Sequence, residues 1–224
     1  QVSHSQKPKS HKKDHIKSKS KHHHHKKHSK KSSKDKKSGK HGKSSISIEY
    51  DGNAFCGIIW SLTQKHSGNV NDKGIINITG DRSKHKNDSF YGSFSSLVDY
   101  NYSGRNCFLT DKNREPVILF DFKEHKIIVS SYSIKSSNLH GPSCLQSWSL
   151  EGSDDLKIWN MIDSHSNDRC LCDTTPANPK VCNFKVQKQL DKPVRYIRLR
   201  ETNVSSHGKW PYGITNIEFF GKYS

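Results

Sequence analysis

From residue 117 onward the chain alternates with the two-residue period of a β-strand, and it does so in short pieces. Val117-Ile118-Leu119-Phe120-Asp121-Phe122 is a nearly continuous apolar run, Ile127 to Ser136 alternates more loosely, and Cys144 to Glu151 places Trp148 and Leu150 on one side. Between Val194 and Arg200 the apolar residues Val194, Tyr196, Ile197 and Leu199 interleave with Arg195, Arg198 and Arg200. Gly, Asn, Asp and Ser cluster between these pieces, so the pattern predicts short strands joined by turns rather than helices. The continuous run suits a central strand buried on both sides. The alternation slips once between Ile197 and Arg198, and a slip of one residue predicts a β-bulge there. All of this points to an all-β chain of two packed sheets.

One helix is expected. Phe55, Ile58, Ile59 and Leu62 stand at i, i+3, i+4 and i+7, with Gly68 placed to end the run, so the spacing predicts a helix over 55–66. Ahead of it, Ile46-Ser47-Ile48-Glu49-Tyr50 alternates like a short strand or entry segment.

Composition changes abruptly before that point. Residues 1–45 hold 16 Lys against two Asp, nine of the 15 His and no aromatic residue, so they carry +14 of the formal +17. Such a segment buries too little apolar surface to offset chain entropy and is expected to be disordered and dispensable for folding. The expected organisation is a basic tail over 1–45, a connector with a short helix over 46–68, and a folded domain over 69–224. Three functions suit the tail: a polyanion-binding arm, a nuclear address, or a metal tract around His22 to His25. A solvated tether is the alternative to all three. Lysines without interleaved aromatics supply only the salt-sensitive, sequence-independent part of nucleic-acid affinity. A disordered tract has no second shell to fix ligand geometry, so no resident metal is expected. No run approaches the roughly 20 apolar residues that span a bilayer, and the stretch after Gln1 has no apolar secretory core.

Several segments recur in an order that resembles a known family. They are Leu97-Val98-Asp99, the 117–122 run, Ser147-Trp148-Ser149-Leu150-Glu151-Gly152-Ser153-Asp154-Asp155 with Trp159, Ile162 and Asp163, then Arg195 to Arg200, and Ile217-Glu218-Phe219-Phe220-Gly221. Together they resemble the factor V/VIII C-type, or discoidin, domain. The resemblance implies a jelly-roll β-sandwich and a non-catalytic binding module. Gly68 to Thr79 is similar to the variant found in intracellular proteins downstream of BTB or ankyrin-repeat regions, which favours a protein partner and an intracellular location. A carbohydrate ligand and a secreted location form the alternative, and polyanion binding through the tail is a third reading.

The resemblance also implies roles for residues. Trp148, Trp159, Tyr196, Phe219 and Phe220 match core positions, while Trp60 on the expected helix packs on the sandwich or on an upstream domain. Ligand binding falls to loops at one end of the sandwich, here 80–94, 101–116, 163–182 and 206–212. Those loops offer Trp210, His207 and Tyr212, then Arg105, Asn113 and Arg114, with Arg82, His85 and Glu115 nearby. They are polar, so membrane insertion is not expected. Some family members wrap Ca²⁺ near the position of Asp99 and Asn101, but the accompanying Gly-Asn pattern is missing and no ion or cofactor is expected.

Six cysteines (Cys56, Cys107, Cys144, Cys170, Cys172, Cys182) permit three disulfides. Many secreted family members staple their two ends; here Cys56 has no counterpart near Gly221, so reduced thiols are expected. In an oxidising compartment Cys172–Cys182 would be the first pairing to expect. Cys170, Cys172 and Cys182 with His165 could be drawn as a zinc site, but a spacing of one residue is not that of zinc ligands. Against the intracellular reading stand sequons at Asn77, Asn87, Asn101 and Asn203. No Gly-x-Ser-x-Gly, Gly-x-Gly-x-x-Gly, P-loop or His-Glu-x-x-His occurs, and Asp154 and Asp155 sit in a turn where capping explains them. No catalysis is expected.

Overall fold

The computed structural model describes residues 45–83, 92–101, 107–111, 114–137, 144–172, 178–204 and 212–224. The expected tail lies outside them but for Ser45, as do Trp210, His207, Arg105, Asn113 and His85. The chain divides after His41, and every element belongs to the unit from Gly42 to Ser224.

Ten strands are described: β1 (Ile46–Ile48), β2 (Asn77–Gly80), β3 (Phe108–Leu109), β4 (Val117–Asp121), β5 (Ile127–Ser136), β6 (Trp148–Ser153), β7 (Asn160–His165), β8 (Val181–Lys185), β9 (Tyr196–Glu201) and β10 (Gly213–Tyr223). They form two antiparallel five-stranded sheets, one ordered β1-β10-β5-β8 with β3 also on β10, the other β2-β4-β9-β6-β7. This is the discoidin-like β-sandwich. Its core lies between the sheets, where Ile118 and Phe120 of β4, Ile197 and Leu199 of β9 and Trp148 and Leu150 of β6 meet Tyr132, Ile134, Ile217 and Phe219. Phe120 meets Phe219 edge-on at 5.2 Å, the geometry that aromatic quadrupoles favour.

The expected bulge in β9 is corrected. From Tyr196 the strand alternates without a break, with Ile197, Leu199 and Glu201 buried and Tyr196, Arg198 and Arg200 on the outer face. The apparent slip came from placing Tyr196 inside; Arg195 covers its ring instead, at 4.9 Å. Trp159 is likewise not core, because it lies on the outer face with Arg198 at 4.0 Å from its ring centre. There Glu151 accepts from Arg198 and Arg200, so a buried carboxylate holds the outer face of the second sheet together. The register shifts fall elsewhere, at Leu150/Glu151 in β6 and at Ile214/Asn216 and Phe220/Gly221 in β10. Gly221 has φ +131°, and a Cβ there would strike the Ile128 carbonyl oxygen, so this last shift requires glycine.

The helix, α1, runs from Ile58 to His66, three residues later than the spacing predicts. Its start is set from a distance. The Glu218 carboxylate of β10 accepts the backbone N–H groups of Gly57 (3.2 Å), Ile59 (2.9 Å) and Trp60 (2.9 Å), which fixes the first turn on the sandwich. Ile58, Ile59 and Leu62 are buried as the spacing requires, while Phe55 stays outside the helix and packs on Tyr100 at 5.1 Å. Ser67, in the left-handed conformation, ends the helix by donating to Gln64. Because β1 pairs with β10 and α1 is capped by it, residues 46–68 are built into the sandwich. Ser153 and Asp155 cap the 154–158 turn, as the sequence implies for Asp155, whereas Asp154 accepts from Lys126 Nζ (2.7 Å).

Candidate functional site at the loop end

The registers place Ile46, Tyr223, Asp121, Ser153 and Tyr196 at one end of the sandwich. At the other end lie Gly80, Val117, Ser136, Trp148, His165, Glu201 and Gly213, and with them the described ends of the loops that the resemblance assigns to binding. Antiparallel pairing within each sheet brings the described ends of these connections together.

Beneath the loops lies a cluster that joins the sheets. Trp148 Nε1–H donates to Tyr132 Oη (2.8 Å), and Tyr132 donates to Asp163 Oδ2 (2.9 Å). His165 stacks on Trp148 with centroids 4.2 Å apart and reaches Asp163 through Nε2 and Asp168 through Nδ1, both at 2.9 Å. With a carboxylate on each nitrogen, both must donate, so the ring is held as imidazolium. Burial opposes that charge, but the hydrogen bonds and charges of Asp163 and Asp168 win and raise the His165 pKa. Burial likewise pushes Asp163 up and is outweighed by His165 and Tyr132, which hold it below the usual range. Asp168 carries the connection outward by accepting from Cys170 N–H and donating its own N–H to Gln146 O.

The cysteines complete this scaffold, and they correct two expectations. Four are paired rather than reduced, and the partners are Cys144–Cys172 and Cys170–Cys182, with Cα atoms 5.3 and 6.4 Å apart, not Cys172–Cys182. The fold explains the pairing, since Cys144 leads into β6, Cys170 and Cys172 follow β7, and Cys182 lies in β8 of the other sheet. The zinc drawing with His165 fails for the same reason: three of its ligands are in disulfides and the fourth is held by two aspartates. Cys56 is exposed and free; Cys107 is free and buried, which pushes its thiol up to about 12.

Reduction is therefore expected to matter. The bridges close segments with sequence separations of 28 and 12, and opening both should cost about 5–7 kcal/mol, or roughly 15 °C in melting temperature. Calorimetry before and after dithiothreitol, with alkylated thiols counted by mass, checks this. An unchanged midpoint with four newly modified thiols contradicts the pairing.

Of the six residues singled out for binding, two are described. Arg114 is exposed at the start of the loop end. Tyr212 is fully buried, and its N–H donates to Thr110 Oγ1 (3.1 Å), so it is a core residue rather than a ligand contact. Arg82 and Glu115 are structural: Arg82 Nε donates to Gly92 O, and Glu115 accepts from Arg200. Glu201, the last inward residue of β9, was missed. It is fully buried, neither carboxylate oxygen has a hydrogen-bond partner among the described residues, and burial pushes its carboxyl up to about 8. The signal was present, because Ile197, Leu199 and Glu201 share one face. The Asp163, His165 and Asp168 cluster was legible only as polar loop residues.

No family profile matches the chain. Over 152 residues, 66% of the chain, it is 23% identical to the E3 ubiquitin-protein ligase Ufd4 of Drosophila melanogaster. Over 136 residues, 58% of the chain, it is 26% identical to the E3 ubiquitin-protein ligase hecd-1 of Caenorhabditis elegans. In each case the match spans 5% of the ligase. Among solved structures, CpGH89CBM32-5 from Clostridium perfringens, in complex with GalNAc-beta-1,3-galactose, superposes with a TM-score of 0.50 at 11% identity, covering 66% of this chain and 96% of that one. The C-terminal domain of a Bacteroides fragilis chitobiase has a TM-score of 0.48 at 16% identity, covering 66% and 95%. The fold is that of the Clostridium perfringens structure.

Proposed function

We propose that the folded unit is a non-catalytic glycan-binding module whose ligand sits among the loops at the end of the sandwich opposite Ile46 and Tyr223. The observation that carries this is the construction of that end. Two disulfides and the Asp163–His165–Asp168 clamp brace the described start of the connection after β7, so that part of the loop end is organised before any ligand arrives. The structural neighbour that aligns over 96% of its own length was solved with a disaccharide, which supports a glycan over the protein partner expected from sequence. Paired cysteines are the form of a chain matured in an oxidising compartment, which supports the secreted alternative over the intracellular one. The His165 cluster does not suggest an enzyme, since both ring nitrogens are engaged by carboxylates and neither is free to move a substrate proton.

A protein partner is the second reading, favoured by the match to two ubiquitin ligases. One experiment separates the readings. The oxidised protein is expected to bind neutral galactose- or N-acetylgalactosamine-containing glycans on an array, and Arg114→Ala is expected to weaken that binding by about 1–3 kcal/mol without changing the melting temperature. Absence of binding to every glycan on the array, in protein whose disulfides are intact, sinks the glycan reading and leaves the protein partner.

A further inference from the structure

A groove of about 680 Å³ lies on the flank of the sandwich, between α1 and the turn that follows the 3-10 helix Phe94–Val98. Its walls are tied to β10 between Asn216 and Tyr223. On one side the Trp60 N–H donates to Glu218 and Ser61 Oγ meets Tyr223 Oη at 3.1 Å. On the other Tyr100 Oη donates to Ile217 O (2.8 Å) and Asn216 Nδ2 donates to Asp99 O (3.1 Å). Both walls are thus anchored to one strand, and the cleft is preformed.

Its lining combines two kinds of group. Trp60, 40% exposed, offers an indole on a helix whose first turn is fixed. Around it stand Thr63, Gln64, Asp99 and Asn101. Thr63 Oγ1 is buried with no hydrogen-bond partner among the described residues, a state that costs free energy. Asn101 uses its backbone N–H on Asp99 Oδ1, which leaves its side-chain amide for other partners. Among the described residues no cationic side chain lines the groove and one carboxylate does, which disfavours an acidic ligand.

From this set we infer that the groove is a second ligand site, and that it takes a neutral saccharide. A pyranose has an apolar C–H face to lay on an indole and hydroxyls to exchange with amides, a hydroxyl and a carboxylate, and the volume falls within the roughly 300–1,000 Å³ of small-ligand clefts. The site meets the loop-end reading at one residue, Asn101, where the 101–116 loop begins.

The test is a titration of ¹⁵N-labelled, oxidised protein with galactose, N-acetylgalactosamine and GalNAc-β-1,3-galactose, following the Trp60 indole N–H, assigned with Trp60→Phe. Saturable shifts at Trp60, Thr63, Gln64 and Asn101 are expected, with affinity at those signals falling at least tenfold in Trp60→Ala and unchanged in Arg114→Ala. Asn101→Ala, at an exposed position, gives a second variant that leaves the fold untouched and should also weaken the response. Shifts confined to the loop end, shifts at Trp60 caused by sialic acid as strongly as by galactose, or no shift at Trp60 with any neutral sugar each overturn the inference. The first of these leaves the loop-end proposal standing.

Discussion

Glu218→Ala is expected to destabilise the domain by about 4 kcal/mol or more. The carboxylate accepts from the N–H groups of Gly57, Ile59, Trp60 and Phe219, and an Ala at this position leaves all four without it. A buried donor stripped of its acceptor costs about 1–3 kcal/mol, and here the donors are also what docks α1. Urea unfolding followed by circular dichroism checks the size of the loss. A second signature separates this role from simple core packing: Trp60 fluorescence should shift toward the solvent-exposed value below the main transition, because the helix loses its anchor before the sheets part. A loss under 1 kcal/mol, with α1 still protected from hydrogen exchange, contradicts the anchoring role.

The same residue shows why part of the fold was legible in the sequence and part was not. The segment Ile217 to Gly221 reads correctly as the last strand, because alternation and its aromatic pair are local signals. That its glutamate begins a helix 158 to 161 residues earlier is not local, and no periodicity carries it. The helix was therefore placed to start at Phe55, where the apolar spacing begins, rather than at Ile58, where acceptors for its first N–H groups are found. Disulfide pairing failed for the same reason. Cys172 and Cys182 look paired by proximity in sequence, but the topology sets Cys144 beside Cys172 across 28 residues. The misplacement of Tyr212 is different in kind. Its neighbours Trp210 and Pro211 suggest a loop, yet Tyr212 directly precedes β10 and is already held by Thr110 in the core. At the candidate site, residue types were readable and their roles were not: Arg114 is exposed as expected, whereas the braces beneath the loops, Trp148, Tyr132, Asp163 and His165, come from three strands that only the folded sheets bring together.

Stability is expected to peak near pH 5 and to fall on the alkaline side, and Glu201→Gln should remove much of that fall. Two sets of groups oppose each other. Burial pushes Asp121, Glu151 and Asp163 up, but their arginine, lysine, serine, histidine and tyrosine partners hold them below the usual range, so their stabilisation is present above that range and is lost in acid. Glu201 and Glu218 run the other way, with carboxyls raised by burial to about 8 and about 7. Below about pH 4.5 each is protonated in both folded and unfolded chains; between there and the folded value only the unfolded chain gives up the proton, so unfolding gains with every step in pH. His165, raised by its two aspartates, adds a loss in the same direction as pH climbs through its folded value. For Glu201 the gap between an ordinary 4.5 and about 8 corresponds to roughly 3–5 kcal/mol at about 1.4 kcal/mol per decade. Glutamine keeps the shape and cannot ionise. Urea midpoints of the two proteins should therefore nearly coincide at pH 4.5 and separate by pH 9 in favour of the variant, with Glu218 and His165 accounting for the slope that remains. Parallel curves across that range would show that Glu201 finds a partner in solution that the described residues do not supply.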